Sequence, residues 1–497
     1  MRMIHRYRFV AVLLALAAAV TVAGCDALDP TDVENPQTTE ENLRDAEQQT
    51  AVLLEGLRVQ FARALGATVV TTEFASDNFS INGTGLGGNA LDFPRSVGPN
   101  VAVLNTTNED GMYWNLQELR AEADYLLEEV APDDDNATEV QIGEAHYLRG
   151  MAFLIQGENF AAVPTAPDTA ATPAAGLLAN AQSDFSAALQ AAQPGSDLAV
   201  QTNAALARTH RALGNATEAE RFAQDALDAG GSDFLIDQPY DADNLDNPPH
   251  DYLVQRSLQE MQPLPRLDFL DPKYTAEDTP IPVASAEEMR LILAEVALAD
   301  DRPSDARAHL RQAIGVAADR GRVTFEDGDE RLDNNLNVRP DTTAIQVRFE
   351  PGAPLVDGLV LDRPGTVTVP AVSGTHVTTA QVNGASGTDL TRLLYLLRQE
   401  LLLLEGHRLH DLGIRLPMML REIETSPVID RGDPGTEATV PDYIPPEKEM
   451  DEYTPTVIYD DSGALTTTEV TMLHDMNRVL AEERGLVIEN PMLLGQQ

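Results

Sequence analysis

Cys25 is the only cysteine in this chain of 497 residues, so no disulfide bond within the chain holds its fold together. Three arginines and an uncharged apolar run over residues 9–20 lie ahead of it, and the sequence Val-Ala-Gly stands directly before it. This order is typical of a bacterial lipoprotein signal. We therefore predict that residues 1–24 are a signal peptide and that Cys25 is lipidated. An ordinary signal peptide that ends near a cysteine is the alternative.

We predict that the lipid on Cys25 attaches the protein to a membrane and that the chain does not cross this membrane. Acyl chains contribute about 0.8 kcal/mol per buried methylene, so a multiply acylated cysteine anchors a chain stably. No other apolar run reaches the roughly 18 residues that a spanning helix needs. Residues 25–40 are rich in proline and acids and lack periodicity, and we predict a tether there. Asp26 leaves open which membrane is used.

The charge of the chain excludes one class of partner. The net charge is −46, and removal of the signal, which holds three arginines and no acid, makes it more negative by three. Such a chain repels nucleic acid, and anionic polysaccharides are disfavoured unless cations bridge them. Lys273 and Lys448 are the only lysines. Adaptation to high salt and a codon bias toward arginine both account for this usage.

Apolar residues recur at three- and four-residue spacing through most of the body, residues 41–497, which predicts a mostly α-helical fold. The first predicted helices cover Leu43–Arg63, Asn108–Glu129 and Thr138–Ile155. Residues 75–100 are rich in glycine and asparagine, and a loop of this length suggests a binding role.

Two segments, residues 176–229 and 286–314, alternate small and large apolar residues on paired helices. In the first, Gly214-Asn215 marks the turn between the helices. Small residues allow two helices to approach closely, and the pattern resembles tetratricopeptide units. The two segments are far apart in sequence, so each is predicted as a separate pair.

The C-terminal half is less regular. Residues 320–388 are rich in valine, threonine, glycine and proline, and we predict a strand- and loop-rich insertion. Leu390–Leu412 is apolar nearly all round and is predicted to be one buried helix. An acidic, proline-rich loop over 425–465 precedes a short predicted helix, Thr468–Arg484.

Several motifs, in order along the chain, together resemble the SusD/RagB family of outer-membrane lipoproteins. The segment 398–415 is the most specific, because it carries a Glu-Gly-x-Arg-x-x-Asp-Leu pattern. The family motif is matched at Glu405, Gly406, Arg408, Asp411 and Leu412. Further matches are Asn35-Pro36, Arg149 to Val163-Pro164, Asp271-Pro272-Lys273, residues 280–298 and Asn490-Pro491. Lys273, His410 and the scarcity of aromatic residues depart from the family pattern.

The resemblance implies a SusD-like fold and a function without catalysis or a cofactor. It implies a surface lipoprotein of the outer membrane that captures an oligomeric nutrient and passes it to a SusC-like TonB-dependent β-barrel transporter. A glycan is the default ligand, and a peptide is the alternative. A different interpretation is that the protein is a helical-repeat scaffold lipoprotein that assembles envelope proteins.

Candidate chemistry is limited. Glu405, Arg408 and Asp411 are predicted to pair along one helix face as a structural ion network, with Arg408 lowering the pKa of both acids. Glycoside hydrolysis by the two carboxylates is the less favoured interpretation. His407 with His410 is a weak metal pattern. The acidic runs at Asp133–Asp135 and at Asp241, Asp243 and Asp246 are weak calcium patterns, and we predict no metal.

Ligand binding requires aromatic platforms and amide groups on a surface. The sequence offers them near the N-terminal loops, where the family resemblance also places binding groups. The predicted binding residues are Asp77, Asn78, Phe79, Asn82, Tyr113, Trp114 and Asn115. The alternative is that Trp114, the single tryptophan, is part of the core.

Overall fold

The computed structural model describes residues 48–81, 90–254, 261–271, 273–326, 346–357, 366–446, 450–455 and 466–491. The predicted signal peptide, Cys25, the tether, Asn35-Pro36 and Asn82 lie outside these ranges. So do parts of the predicted insertion and of the acidic loop. The statements below concern the described residues.

The body is mostly α-helical, as predicted. Its helices are α1 (Gln49–Ala75), α2 (Met112–Tyr125), α3 (Glu139–Asn159), α4 (Ala174–Ala191), α5 (Asp197–Ala212), α6 (Ala216–Gly230), α7 (Ala286–Ala299), α8 (Pro303–Asp319), α9 (Thr379–Gly384), α10 (Thr388–Leu401), α11 (Arg408–Leu412), α12 (Leu420–Thr425) and α13 (Met476–Val479).

Helices α3 to α8 form three consecutive helix pairs. They are α3 with α4, α5 with α6, and α7 with α8. The pairs also contact one another, since α4 packs on α5 and α6 packs on α7. The two predicted pairs are therefore neighbours in one stack, although about 55 residues separate α6 from α7. A third pair, α3 with α4, was missed as a unit.

Glycines explain the close approach of α3 and α4. Gly143, Gly150 and Gly157 recur every seven residues on α3. A Cβ atom on Gly150 would lie 2.6 Å from the ring of Phe185, and one on Gly143 would lie 2.5 Å from the Cβ of Ala191. Positions seven apart share a helix face, so the three glycines form a flat stripe on which α4 lies.

Local signals set several helix ends. The side chain of Thr138 accepts a hydrogen bond from the backbone N–H of Gln141, and Gln141 accepts one in return from the Thr138 backbone. This capping box starts α3 at the predicted residue. The predicted turn between α5 and α6 is confirmed, with Gly214 at φ +75° and Asn215 capping α6. Gly214 also lies under Pro491, so the chain's Asn-Pro end packs on this turn.

The strands are short, and some of them, such as Phe79–Ile81 and Ile281–Ser285, are buried. They are β1 (Phe79–Ile81), β2 (Ala162–Val163), β3 (Thr172–Pro173), β4 (Leu235–Gln238), β5 (Met261–Pro263), β6 (Ile281–Ser285), β7 (Arg322–Glu326), β8 (Gln346–Arg348), β9 (Val356–Asp357), β10 (Thr366–Pro370), β11 (Tyr453–Thr454) and β12 (Glu469–Met472). The pairs β1–β5, β2–β3, β4–β6 and β7–β10 are antiparallel, and β11-β12-β8-β9 form one mixed sheet.

Two predicted helices are corrected. Leu390–Leu412 is not one helix, because α10 ends at Leu401 and a turn with positive φ at Leu404 and Gly406 precedes α11. The segment Thr468–Arg484 begins as strand β12 and becomes helical only at Met476. Where residues 320–388 are described, they contain strands β7 to β10 and the short helix α9. In the described part of the chain, every helix is too short or too polar to cross a membrane.

Candidate functional site

The predicted family motif lies in the interior and not at a surface. Glu405, Gly406, Arg408 and Asp411 follow the sharp turn after α10, and the three charged side chains are buried. Gly406 adopts φ +77°, a conformation that costs a residue with a Cβ atom, which accounts for the glycine in the motif. The turn separates Glu405 from α11, so the three charged groups do not share one helix face.

Each charged group of the motif pairs with a distant residue, which corrects the prediction that they pair with one another. Arg408 donates two hydrogen bonds to Asp77, from Nε to Oδ1 at 2.6 Å and from Nη2 to Oδ2 at 2.7 Å. Its Nη1 donates to Asn477 Oδ1 at 3.0 Å. The predicted structural ion network is present, but it joins α11 to the end of α1 and to α13.

Asp411 and Glu405 have different environments. Burial alone would raise the pKa of Asp411, but ion pairs with Arg398 at 2.6 Å and Arg211 at 2.8 Å hold that pKa well below its usual range. Burial raises the pKa of Glu405 to about 7 despite its ion pair with Lys273 at 2.5 Å. The prediction that Arg408 lowers the pKa values of both acids is therefore wrong. Arg398 and Arg211 lower the pKa of Asp411, and the pKa of Glu405 is raised.

Three predicted binding residues belong to this interior network. Asp77, Asn78 and Phe79 are 1%, 0% and 1% exposed. Asn78 donates to Glu73 at 2.7 Å and accepts from Gln399 at 2.7 Å. Their polar groups are satisfied inside the protein, so they present no side chain to a ligand. The prediction of binding at these three positions does not fit their placement.

In the second predicted group, Tyr113 and Asn115 are buried, whereas Trp114 is partly exposed. Tyr113 is buried and meets Phe160 edge to face, with ring centroids 5.5 Å apart. Asn115 is buried and donates to the backbone carbonyls of Asn108 and Gly111 at 2.9 Å, which ties the preceding loop to α2. Trp114 is only half-buried, since one part packs on the core and the rest reaches the surface. Of the six predicted positions that the structure describes, Trp114 remains the candidate contact.

Trp114 lies in the first turn of α2, where its indole hydrogen-bonds to Glu118. Just before this helix, Asp110 contacts residues that the sequence analysis did not select for ligand binding. We call Asp110, Trp114, Asp246, Asp251 and Tyr252 the Asp110 surface. The hydroxyl of Tyr252 donates to Asp110 Oδ1 at 3.0 Å, which joins two loops 142 residues apart. Tyr252 is half-buried, and a small cavity beneath it is lined by Val70, Val103 and Pro248. Asp246 belongs to an acidic run in the sequence, but no local pattern indicates the contact between Tyr252 and Asp110.

The electrostatics of the Asp110 surface set its chemistry. Partial burial raises the pKa of Asp251 to about 7, together with a hydrogen bond to Asp246 and the charges of Glu277 and Asp110. Two carboxyl groups in direct hydrogen-bond contact share one proton. Glycosidases hold their two carboxyl groups about 5–9.5 Å apart, with the sugar bond between them. Asp246 and Asp251 leave no such gap, so the pair suits binding and not hydrolysis.

The weak metal patterns are occupied by other contacts. Asp241 accepts from the Asp243 backbone at 3.0 Å and from Asn244 at 2.7 Å, within its own turn. Asp134 accepts from the backbone of Thr50 at 2.9 Å at the start of α1. Burial holds the pKa values of His407 and His410 well below their usual range. Across the described ranges, no three His, Cys, Asp or Glu side chains are placed to hold a metal ion.

Comparison with known proteins shows the fold. No family model and no curated protein matches this chain. A SusD superfamily protein from Bacteroides vulgatus is similar over 78% of this chain and 98% of its own, with 14% identity and a TM-score of 0.50. The expected fold is thereby confirmed, and the chain has a SusD-like fold.

Two other solved structures are similar at lower TM-scores. A SusD superfamily protein from Bacteroides thetaiotaomicron is similar over 74% of this chain and 89% of its own, with 15% identity and a TM-score of 0.45. A laminarin-binding SusD-like protein is similar over 73% and 90%, with 13% identity and a TM-score of 0.48.

Proposed function

We propose that this protein is a lipid-anchored binding protein of the outer membrane that captures a neutral oligosaccharide and delivers it to a SusC-like TonB-dependent β-barrel transporter. The Asp110 surface carries this proposal. It is a partly exposed set in which Tyr252 is hydrogen-bonded to Asp110 and Asp251 to Asp246, with Trp114 on the first turn of the adjoining helix α2. The protein acts by noncovalent binding and catalyses no reaction.

A sugar ring matches the groups of this surface. The apolar faces of pyranose rings pack on aromatic side chains such as Trp114 and Tyr252, and sugar hydroxyls donate to carboxylates such as Asp110. The surface is acidic, so a neutral glycan is favoured there over an anionic one. A peptide with basic side chains is the alternative ligand for the same groups.

The membrane location is inferred from the sequence ahead of the folded body. Cys25 follows a signal that fits lipoprotein processing, and the tether between it and α1 gives the body freedom above the membrane. The SusD-like fold supports the same location and the same transporter partner, because the SusD/RagB resemblance implies both.

Trp114 offers a direct test, because it is the only tryptophan in the chain. We expect its fluorescence to change, in a saturable way, when a neutral oligosaccharide binds. A panel of neutral glucans, mannans and xylans is titrated beside basic peptides of similar length. Saturation by a glycan supports the proposal, saturation by basic peptides alone supports the peptide alternative, and no response from any probe counts against this surface.

The partner is tested separately. The tagged protein is extracted from its native membranes in mild detergent, captured, and analysed by mass spectrometry. A large β-barrel transporter in near-equal amount is expected. Recovery with periplasmic assembly proteins and no transporter contradicts the proposed partner.

That second outcome would favour a scaffold function, for which the stack of three helix pairs is also suited. Stacked helix pairs form extended surfaces that bind other proteins. The Asp110 surface lies outside this stack, at the start of α2 and in the segment between β4 and β5, and this placement favours ligand binding.

A further inference from the structure

A groove of about 480 Å³ opens beside the C-terminal end of α8, on residues separate from the Asp110 surface. One wall is the side of α8 that carries Ile314, Ala317 and Ala318. The opposite wall is the segment 370–376 after β10, and Phe269 lies between them. Small-molecule sites typically measure about 300–1,000 Å³, so the groove has the size of a ligand site.

An exposed ring is fixed at this groove. His376 reaches solvent, and its ring meets buried Phe269 edge to face, with centroids 3.9 Å apart and planes at 83°. The backbone N–H of His376 donates to Glu400 at 3.2 Å, which also fixes the main chain. One side of the ring is covered, and this partial burial, with the nearby charge of Arg322, lowers the pKa of His376, so the ring is neutral near pH 7 and can both donate and accept a hydrogen bond.

The exposed guanidinium group of Arg322 lines the same groove as His376. Arg322 is exposed, and its Nη2 donates to the backbone carbonyl of Thr368 at 2.6 Å, which holds the side chain along β10 without neutralising it. In the part of the chain that the structure describes, Arg322 forms no ion pair. No aspartate or glutamate is among the groove's lining residues.

Two buried carboxyl groups contact residues of the groove wall, and both already have hydrogen-bond partners. Glu287 forms a doubly hydrogen-bonded pair with Arg320, at 2.6 and 2.7 Å, and accepts from Ser373 at 2.8 Å. Glu400 accepts from the hydroxyl of Thr375, and burial raises its pKa to about 7.

We propose that this groove binds a uronic acid residue of an acidic glycan. Its carboxylate pairs with Arg322 in the fork geometry that guanidinium groups favour. Its pyranose face packs on His376, and its hydroxyls meet the backbone of Gly374. The overall charge of the chain disfavours anionic polysaccharides, but exposed charges more than about 8–10 Å away are screened at physiological salt. The local field of Arg322 therefore decides binding.

The test uses the full chain and isothermal titration calorimetry with trigalacturonate, a linear uronic acid trimer. The matched neutral probe is α-1,4-linked galactotriose, which differs only at the carboxyl groups. The variants are Arg322→Gln and His376→Ala. The matched control is Arg221→Gln, which removes one exposed arginine from α6, where Arg221 pairs with Glu218 and Asp225 outside the groove.

We expect saturable binding of trigalacturonate and at least about tenfold weaker binding of galactotriose, since the neutral trimer has no carboxylate to accept charge-assisted hydrogen bonds from Arg322. Arg322→Gln is expected to weaken trigalacturonate binding by at least about tenfold and His376→Ala by several-fold, while Arg221→Gln leaves it unchanged. Circular dichroism confirms that each variant is folded.

Three outcomes overturn the proposal. They are no binding of trigalacturonate to the wild-type protein, equal binding of both trimers, and equal weakening by Arg322→Gln and Arg221→Gln. A short peptide with a free C-terminal carboxylate is titrated in parallel. Binding of the peptide with no response to trigalacturonate keeps Arg322 as an anion site but overturns its assignment to a glycan.

Discussion

Arg408 and Asp77 form a doubly hydrogen-bonded ion pair across 331 residues of sequence, at 2.6 and 2.7 Å, and both side chains are buried. Through Asn477, the same arginine reaches Gln399, whose amide in turn contacts Asn78. This network ties the end of α1 to α10, α11 and α13. The most specific sequence motif of the chain is therefore a feature of the interior, and its residues stabilise the fold.

Arg408→Gln is predicted to lower the free energy of unfolding by about 3–5 kcal/mol, because the buried Asp77 carboxylate loses its doubly hydrogen-bonded partner and keeps Arg266 only at 4.0 Å. Urea denaturation measures the change. The control is Arg221→Gln, where an exposed pair is lost and about 0–1 kcal/mol is expected. The double variant Asp77→Leu with Arg408→Met removes both charges. It is expected to be less destabilised than Arg408→Gln, and an equal or larger loss would show that the charge left unpaired is not the cause.

The contribution of Glu400 to the free energy of unfolding is predicted to fall as pH rises from about 4.5 to 7, whereas the lowered pKa values of buried His407 and His410 contribute with the opposite sign. Burial raises the pKa of Glu400 to about 7, whereas an unfolded glutamate titrates near 4.3. The folded chain thus binds a proton that the unfolded chain has released, and this contribution is complete below the unfolded pKa and lost as pH approaches 7. Burial raises the pKa of Glu73 to about 7 as well, with the same sign.

Glu400→Gln isolates one part of that pH dependence. The variant keeps an oxygen to accept from Thr375 and cannot ionise, so its free energy of unfolding is expected to fall less steeply between pH 4.5 and 7 than that of the wild-type protein. Urea denaturation at four pH values measures both slopes. Glu129→Gln, at an exposed position, is the control. Identical slopes for the wild-type protein and Glu400→Gln would refute the assignment.

Trp114→Ala is predicted to weaken binding of the neutral oligosaccharide found by the fluorescence screen by about tenfold, the equivalent of about 1.4 kcal/mol. Calorimetry is the measurement, since the variant lacks tryptophan. Tyr125→Ala is the control, because Tyr125 is an aromatic residue at the far end of the same helix and is 37% exposed. Unchanged affinity in Trp114→Ala would move the ligand away from the Asp110 surface.

Cys25→Ala is predicted to release the protein from the membrane fraction and to abolish labelling by a clickable palmitate analogue, because the thiol is the only group available for thioether lipidation. Fractionation and labelling in the native host measure both effects. Asp26→Asn keeps the thiol and serves as the control. Continued labelling of Cys25→Ala would exclude Cys25 as the lipid site.

The sequence by itself determined the features that depend on neighbouring residues. Periodicity gave most helices, the Thr138 capping box and the Gly214-Asn215 turn are local, and small residues marked two of the three helix pairs. Periodicity was misleading after Leu401, because the leucine-rich pattern continues through a turn whose positive φ angles show only in the backbone.

The tertiary structure alone decided which distant groups meet. A helical pattern tells which face of a helix is apolar, but a buried charge selects its partner by where the whole chain places it. Asp77 was therefore predicted at a ligand surface and lies against Arg408, while the contact of Asp110 with Tyr252 gave no signal. Binding surfaces on loops depend on the same long-range contacts, and for that physical reason only the folded chain brings Trp114 and Arg322 to places where ligands are expected.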